Sequence, residues 1–112
     1  MNISSFLKAK AFIQAETKLQ LELTQLDTIL RVYRAGDAGL SVTDIAKATG
    51  VSNSAAGRTA ATMSLHGYRN TKMSGWGLAE AYTDYANPRF KMIRITARGI
   101  TVVEKFLELL KE

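Results

Sequence analysis

Residues 41–65 read SVTDIAKATGVSNSAAGRTAATMSL. Ser41, with Asp44 three residues on, has the side chains that cap a helix start, and Val42, Ile45 and Ala46 behind it supply a short inward face. Gly50 can take the left-handed conformation that stops such a helix, and Val51 seals the turn. Ser52 then caps a second helix reaching about Leu65, with Ala56, Thr59 or Ala60, and Met63 inward at helical spacing. Two short helices crossing steeply over a tight turn need a small residue where they touch and a glycine in the turn. Ala46 and Gly50 stand at that four-residue spacing, so the stretch predicts a helix-turn-helix.

Working outward, residues 66–77 lose periodicity and collect glycine, asparagine and serine, which reads as a loop. Leu78 to Thr83 and Phe90 to Ile95 then read as two strands joined by a turn at 84–89, where Asn87-Pro88 is a turn-former, giving a two-stranded hairpin or wing. Thr96 caps a last helix to about Leu110, with Ile100, Val103, Leu107 and Leu110 on one stripe and Val102, Phe106 and Leu109 beside it. Upstream, Ser4 or Ser5 caps a helix to about Gln20, whose apolar residues spread over two faces. Thr24 and Asp27 start another, carrying Leu26, Ile29, Leu30 and Tyr33 inward and ended by Gly36 and Gly39. The expected fold is mainly α (α+β), a winged helix-turn-helix with flanking N- and C-terminal dimerisation helices. It forms one domain over 1–112, with an N-terminal helix in 1–22, the winged-helix core in 24–95 and a C-terminal helix in 96–112. The two terminal helices together carry more apolar surface than one small domain covers, so a homodimer is expected.

Composition narrows the partner. The 112 residues contain no cysteine and one histidine, which excludes a disulfide framework and thiolate zinc sites and leaves neither metal nor cofactor to expect. No apolar run approaches the roughly 20 residues of a spanning helix, and residues 1–10 lack the apolar stretch of a secretion signal, so a cytoplasmic protein without a membrane partner is expected. The net charge of +5 is unevenly spread. Between Ile45 and Gly99 eight lysines and arginines face only Glu80 and Asp84, while the rest of the chain has seven bases and eight acids. The positive excess therefore falls on the helix-turn-helix and wing, as a polyanionic partner such as double-stranded DNA requires.

A recognition helix enters the major groove by its N-terminal end, which makes Ser52, Asn53, Ser54, Gly57 and Arg58 the candidate contacts, with Thr43 on the preceding helix. Ser52 is first a cap, and the helix start behind it offers free amides to a phosphate. Asn53 and Ser54 can pair with base edges, and Arg58 can read guanine with two hydrogen bonds. Gly57 inside a helix costs about 1 kcal/mol relative to alanine, which fits a close approach to a groove wall. At the wing, Asn87, Arg89 and Lys91 lie at or beyond the tip, where a cation reaches the minor groove. Arg94 and Arg98 are left to phosphates or solvent. Glu80 and Asp84 have no nucleophile or metal site beside them, so no enzyme is expected.

The segments SVTDIAKATGVSNSAAGRT, DYANPRFKMIRIT and the T-A-R-G at 96–99, in that order, resemble the MarR-type winged-helix regulators over about Thr24 to Glu104. In the wing, Asp84, Arg89 and Lys91 match the family pattern, whereas Asn87 and Pro88 depart from it. The loop before the wing is longer and the C-terminal helix is shorter than the family's paired dimerisation helices. The resemblance implies a dimeric, sequence-specific transcriptional regulator reading a pseudo-palindrome with half-sites about one helical turn apart. It also implies a small-molecule effector as a possible partner, with cysteine-based sensing excluded. Two other readings stay open: a winged helix that docks on transcription or replication machinery, and a single-strand binder in which Trp76, Tyr68, Tyr82 and Tyr85 stack on bases.

Overall fold

The computed structural model describes residues 1–18, 21–64, 75–83, 86 and 91–112. Its helix boundaries follow from local capping. Asn2 accepts the Ser5 amide at 2.8 Å while Ser5 Oγ accepts the Asn2 amide at 2.9 Å, and this reciprocal box starts α1 (Ile3–Glu16). The expected start at Ser4 or Ser5 is corrected accordingly: Ser5 is the third-residue partner of the box. The helix ends at Glu16, short of Gln20, and the Thr17 hydroxyl turns back onto the Ile13 carbonyl at 2.9 Å.

The second helix, α2 (Leu23–Ala35), also starts earlier than expected. Gln25 Oε1 accepts the Glu22 amide at 2.7 Å. Thr24 and Asp27 therefore lie inside the helix, where the Thr24 carbonyl accepts from Thr28 and Asp27 pairs with Arg31 at 2.6 Å. After a short 3-10 turn (Gly36–Ala38) come β1 (Leu40–Ser41), α3 (Val42–Thr49), α4 (Asn53–Met63), β2 (Ala79–Thr83), β3 (Lys91–Ile95) and α5 (Ala97–Lys111).

The sheet differs from the expected hairpin. β1 pairs antiparallel with β3, Leu40 opposite Ile93 and Ser41 opposite Met92, so three strands run in the order β1-β3-β2. Two residues before a helix carry no alternation to read, and only the fold brings them to the edge of β3. In the wing itself Glu80 stands opposite Arg94 and Tyr82 opposite Met92. Ile93 and Ile95 point into the core, as strand alternation requires.

One core joins the layers: Ile13 of α1, Ile29 and Val32 of α2, Ile45 of α3, Met63 of α4, Leu78, and Val103 and Phe106 of α5. α5 buries Gly99, Val102, Val103 and Phe106, while α1 buries Ser5, Ala9 and Ile13. The inward stripe of α5 thus joins Val103 of the expected line to Val102 and Phe106 beside it, while Ile100 is exposed and Leu107 and Leu110 are half-buried. It packs on α1 within the same chain, so much of the surface expected to be surplus is already covered. What stays open lies mainly on α1 and the start of α2: Ile3 is 79%, Leu7 53% and Leu23 84% exposed, and Met1 and Phe6 are exposed as well. Among the described residues no helix is long and apolar enough to cross a membrane.

Candidate nucleic-acid interface

The turn between α3 and α4 is built as its residues dictate. Ser41 Oγ accepts the Asp44 amide at 3.0 Å to start α3. Gly50, at φ +74, ends it, and the amides of Gly50 and Val51 both reach the Ala46 carbonyl, at 2.9 and 3.1 Å. A side chain at Gly50 would meet nothing within 4 Å, so the demand for glycine there is conformational and not steric. Ser52 Oγ then accepts the Ala55 amide at 3.1 Å and opens α4. With Ser52 used as the cap, the amides of Asn53 and Ser54 have no intrahelical acceptor and point out of the helix start.

Burying Ala56, Ala60 and Met63 fixes which way α4 faces. Ala60, not Thr59, takes the inward position between the other two. Ser52, Asn53, Ser54 and Arg58 are exposed, and Gly57 is half-buried. Ser54 and Arg58 are one helical turn apart and share a face. Gly57 has helical backbone, and a methyl group there would meet nothing within 4 Å, so the fold itself sets no requirement for glycine. Thr43 is half-buried in the first turn of α3, and Lys91 is exposed at the start of β3, opposite Thr83. Asn87 and Arg89, the other expected wing contacts, lie outside the described residues, as do Asp84, Tyr68, Tyr85 and most of the 66–77 loop.

Two arginines assigned to phosphate or solvent have other partners. Arg94 Nε donates to Glu80 Oε1 at 2.6 Å, and its guanidinium lies 4.6 Å from the centre of the Tyr82 ring. Donation to Glu80 holds the Arg94 guanidinium above its ordinary pKa, although both side chains remain well exposed. Tyr82 in turn donates its hydroxyl to the Ala38 carbonyl at 2.8 Å, tying the wing to the turn after α2. Arg98 bonds the Trp76 carbonyl at 3.1 Å and Glu16 Oε2 at 3.1 Å. Sequence reading missed these roles. Glu80 and Arg94 would have been legible as a cross-strand charge pair once the register was known. Among the described cations between residues 45 and 99, Lys47, Arg58 and Lys91 are exposed and stand in no ion pair. Trp76 is only 4% exposed and belongs to the core, so it is unavailable for stacking on a base.

A helix-turn-helix followed by a strand pair, with a third short strand entering from before the motif, defines a winged helix-turn-helix protein. The sequence model of the IclR helix-turn-helix domain matches residues 28–68, which cover most of α2 and all of α3 and α4. Over nearly the whole chain the similarity is to MarR-type regulators. MepR of Staphylococcus aureus, solved as a complex with DNA, is 28% identical over 97% of this chain and 79% of its own, with a TM-score of 0.71. MarR is 22% identical over 97% of this chain and 72% of its own, with a TM-score of 0.66. A transcriptional regulator from Thermotoga maritima is 16% identical over 96% and 66%, with a TM-score of 0.71, a likeness of fold alone. No curated protein sequence matches the chain. The helix-turn-helix is common to the domain match and the structural relatives, while the wing and both terminal helices are matched only by the latter. The chain therefore has a winged-helix fold similar to those of MepR and MarR.

Proposed function

We propose that this protein is a sequence-specific transcriptional regulator that binds double-stranded DNA as a homodimer in the cytoplasm. The observation that carries the reading is the outward face of α4. Asn53, Ser54 and their free amides stand at the helix start, which is the end such a helix inserts in a major groove, and Arg58, in no ion pair among the described residues, follows one turn after Ser54. The similarity to MepR, solved on DNA, supports the same partner. Lys91 and the expected wing contacts Asn87 and Arg89 would reach the flanking groove, and Thr43 the phosphate beside it. The exposed apolar residues of α1 and the start of α2 support pairing of two copies through their terminal helices. Selecting bound sequences from a random duplex pool, followed by gel-shift titration over a salt series, tests this directly. A defined two-fold motif and a steep fall of affinity with salt are expected. Equal affinity for duplex and single-stranded competitors would overturn it.

A groove between α1, α2 and α5 favours one addition. It has a volume of about 380 Å³ and is lined by Phe6, Ile13, Leu21, Leu23, Leu26 and Phe106, together with Lys10 and Glu22. Its size and apolar lining suit a small effector molecule. A thermal-shift screen of small aromatic acids and cations checks this, and a hit should also change duplex affinity.

A further inference from the structure

The three residues Trp76, Gly77 and Leu78 have their backbone donors and acceptors spent in opposite directions. Their amides donate to the carbonyls of Thr62, Ser64 and Met63, at 3.0, 3.3 and 2.9 Å, which are the carbonyls left without partners at the end of α4. Their carbonyls accept from Arg98 Nε at 3.1 Å, Thr96 Oγ1 at 2.7 Å and the Thr96 amide at 3.1 Å, all at the start of α5. A three-residue strap thus joins the C-terminus of α4 to the N-terminus of α5. Trp76 and Leu78 are anchored in the core, and Gly99 packs so closely on the Leu78 carbonyl that no side chain fits there.

Arg98 carries this connection one step further. Besides the strap, its Nη2 reaches Glu16 Oε2 at 3.1 Å and the Glu16 carbonyl at 3.4 Å, in the last turn of α1. The arginine therefore touches the strap behind the recognition helix and both helices of the terminal layer. With side chains 51% and 33% exposed, the Arg98–Glu16 pair adds little to stability. Its geometric consequence is a direct link between the terminal layer and the strap at the end of α4.

We infer that Arg98 is a positioning residue that fixes the separation of the two recognition helices, and with it the half-site spacing the dimer accepts. The inference rests on the proposed reading of a DNA-binding homodimer joined through the terminal layer. Adding one base pair between half-sites moves the second by about 3.4 Å and turns it by about a tenth of a turn, so a rigid connection rejects it and a loosened one follows it.

The test uses the full chain, a duplex containing one selected half-site, and a panel of duplexes whose two half-sites are moved apart or together by single base pairs. The wild type should prefer one spacing over its neighbours by about tenfold, and Arg98→Met should cut that ratio to about threefold or less. Arg98→Met should bind the single half-site as the wild type does. Glu16→Gln, which leaves the strap untouched, should also narrow the ratio and covers the case in which Arg98→Met fails to fold. A wild-type ratio retained in either folded variant overturns the inference alone. A wild type that binds no duplex, or that shows no spacing preference, overturns the dimeric DNA-binding reading and the inference with it.

Discussion

The first half of α4 and the base of the wing are both basic in sequence, yet the fold treats their charges in opposite ways. On α4, Arg58 is exposed and in no ion pair among the described residues, one turn after Ser54. At the wing base, Arg94 is held by Glu80 and Tyr82, and just beyond it Arg98 is held by Glu16 and the Trp76 carbonyl. On the proposed reading the first region meets the DNA, and the cations of the second are spent on contacts within the chain. A local excess of positive charge therefore overstates an interface wherever the cations have carboxylates or carbonyls within reach.

That contrast can be broken experimentally, and the largest effect should come from the structural side. Gly99→Ala places a methyl group against the Leu78 carbonyl and the Ile95 side chain, where backbone cannot give way cheaply. It should cost about 3 kcal/mol in urea denaturation. On the binding side, Arg58→Ala should weaken the preferred duplex by about 1 to 3 kcal/mol and relax its sequence preference, with unfolding unchanged. Unchanged gel-shift affinity would remove Arg58 from the interface.

Ser52→Ala tests a residue that is both structural and part of the candidate interface, because its hydroxyl caps α4. Loss of the cap should lower stability by about 1 kcal/mol, read as a lower thermal midpoint. Gly57→Ala should act in the opposite sense. Among the described residues the methyl group meets nothing within 4 Å. Stability should rise by up to about 1 kcal/mol while duplex affinity falls, since the added group stands on the face proposed to approach the groove. The smallest effect is assigned to Arg94→Ala: the slope of affinity against salt should stay unchanged, whereas Lys91→Ala should reduce it by about one.

The parts of this arrangement legible in the sequence are those decided within one or two turns of chain. Ser41, Gly50, Ser52 and Thr96 act where the sequence places them, because a cap or a left-handed turn involves partners three or four residues away. The misread starts of α1 and α2 are instructive exceptions. Each opens with a box of two residues, whose second member in α1 is Ser5, while Thr24 lies inside α2. Asn2 lies almost at the end of the chain, and Glu22 is not a usual capping type. Of the candidate site, the helix half was legible through the inward period of Ala56, Ala60 and Met63, which leaves Asn53, Ser54 and Arg58 outside.

The sequence by itself determined the order of helices, the position of the helix-turn-helix and wing, and the face that α4 presents, since each is written in spacing along the chain. Only the tertiary structure decided that Leu40 and Ser41 join the sheet, that α5 spends its apolar stripe on α1, and that Arg94 and Arg98 are held in place. Those outcomes depend on residues a dozen or more positions apart in the chain, such as Glu80 with Arg94 and Glu16 with Arg98. No local pattern encodes such a meeting. It is fixed by the register of strands and the packing of a shared core.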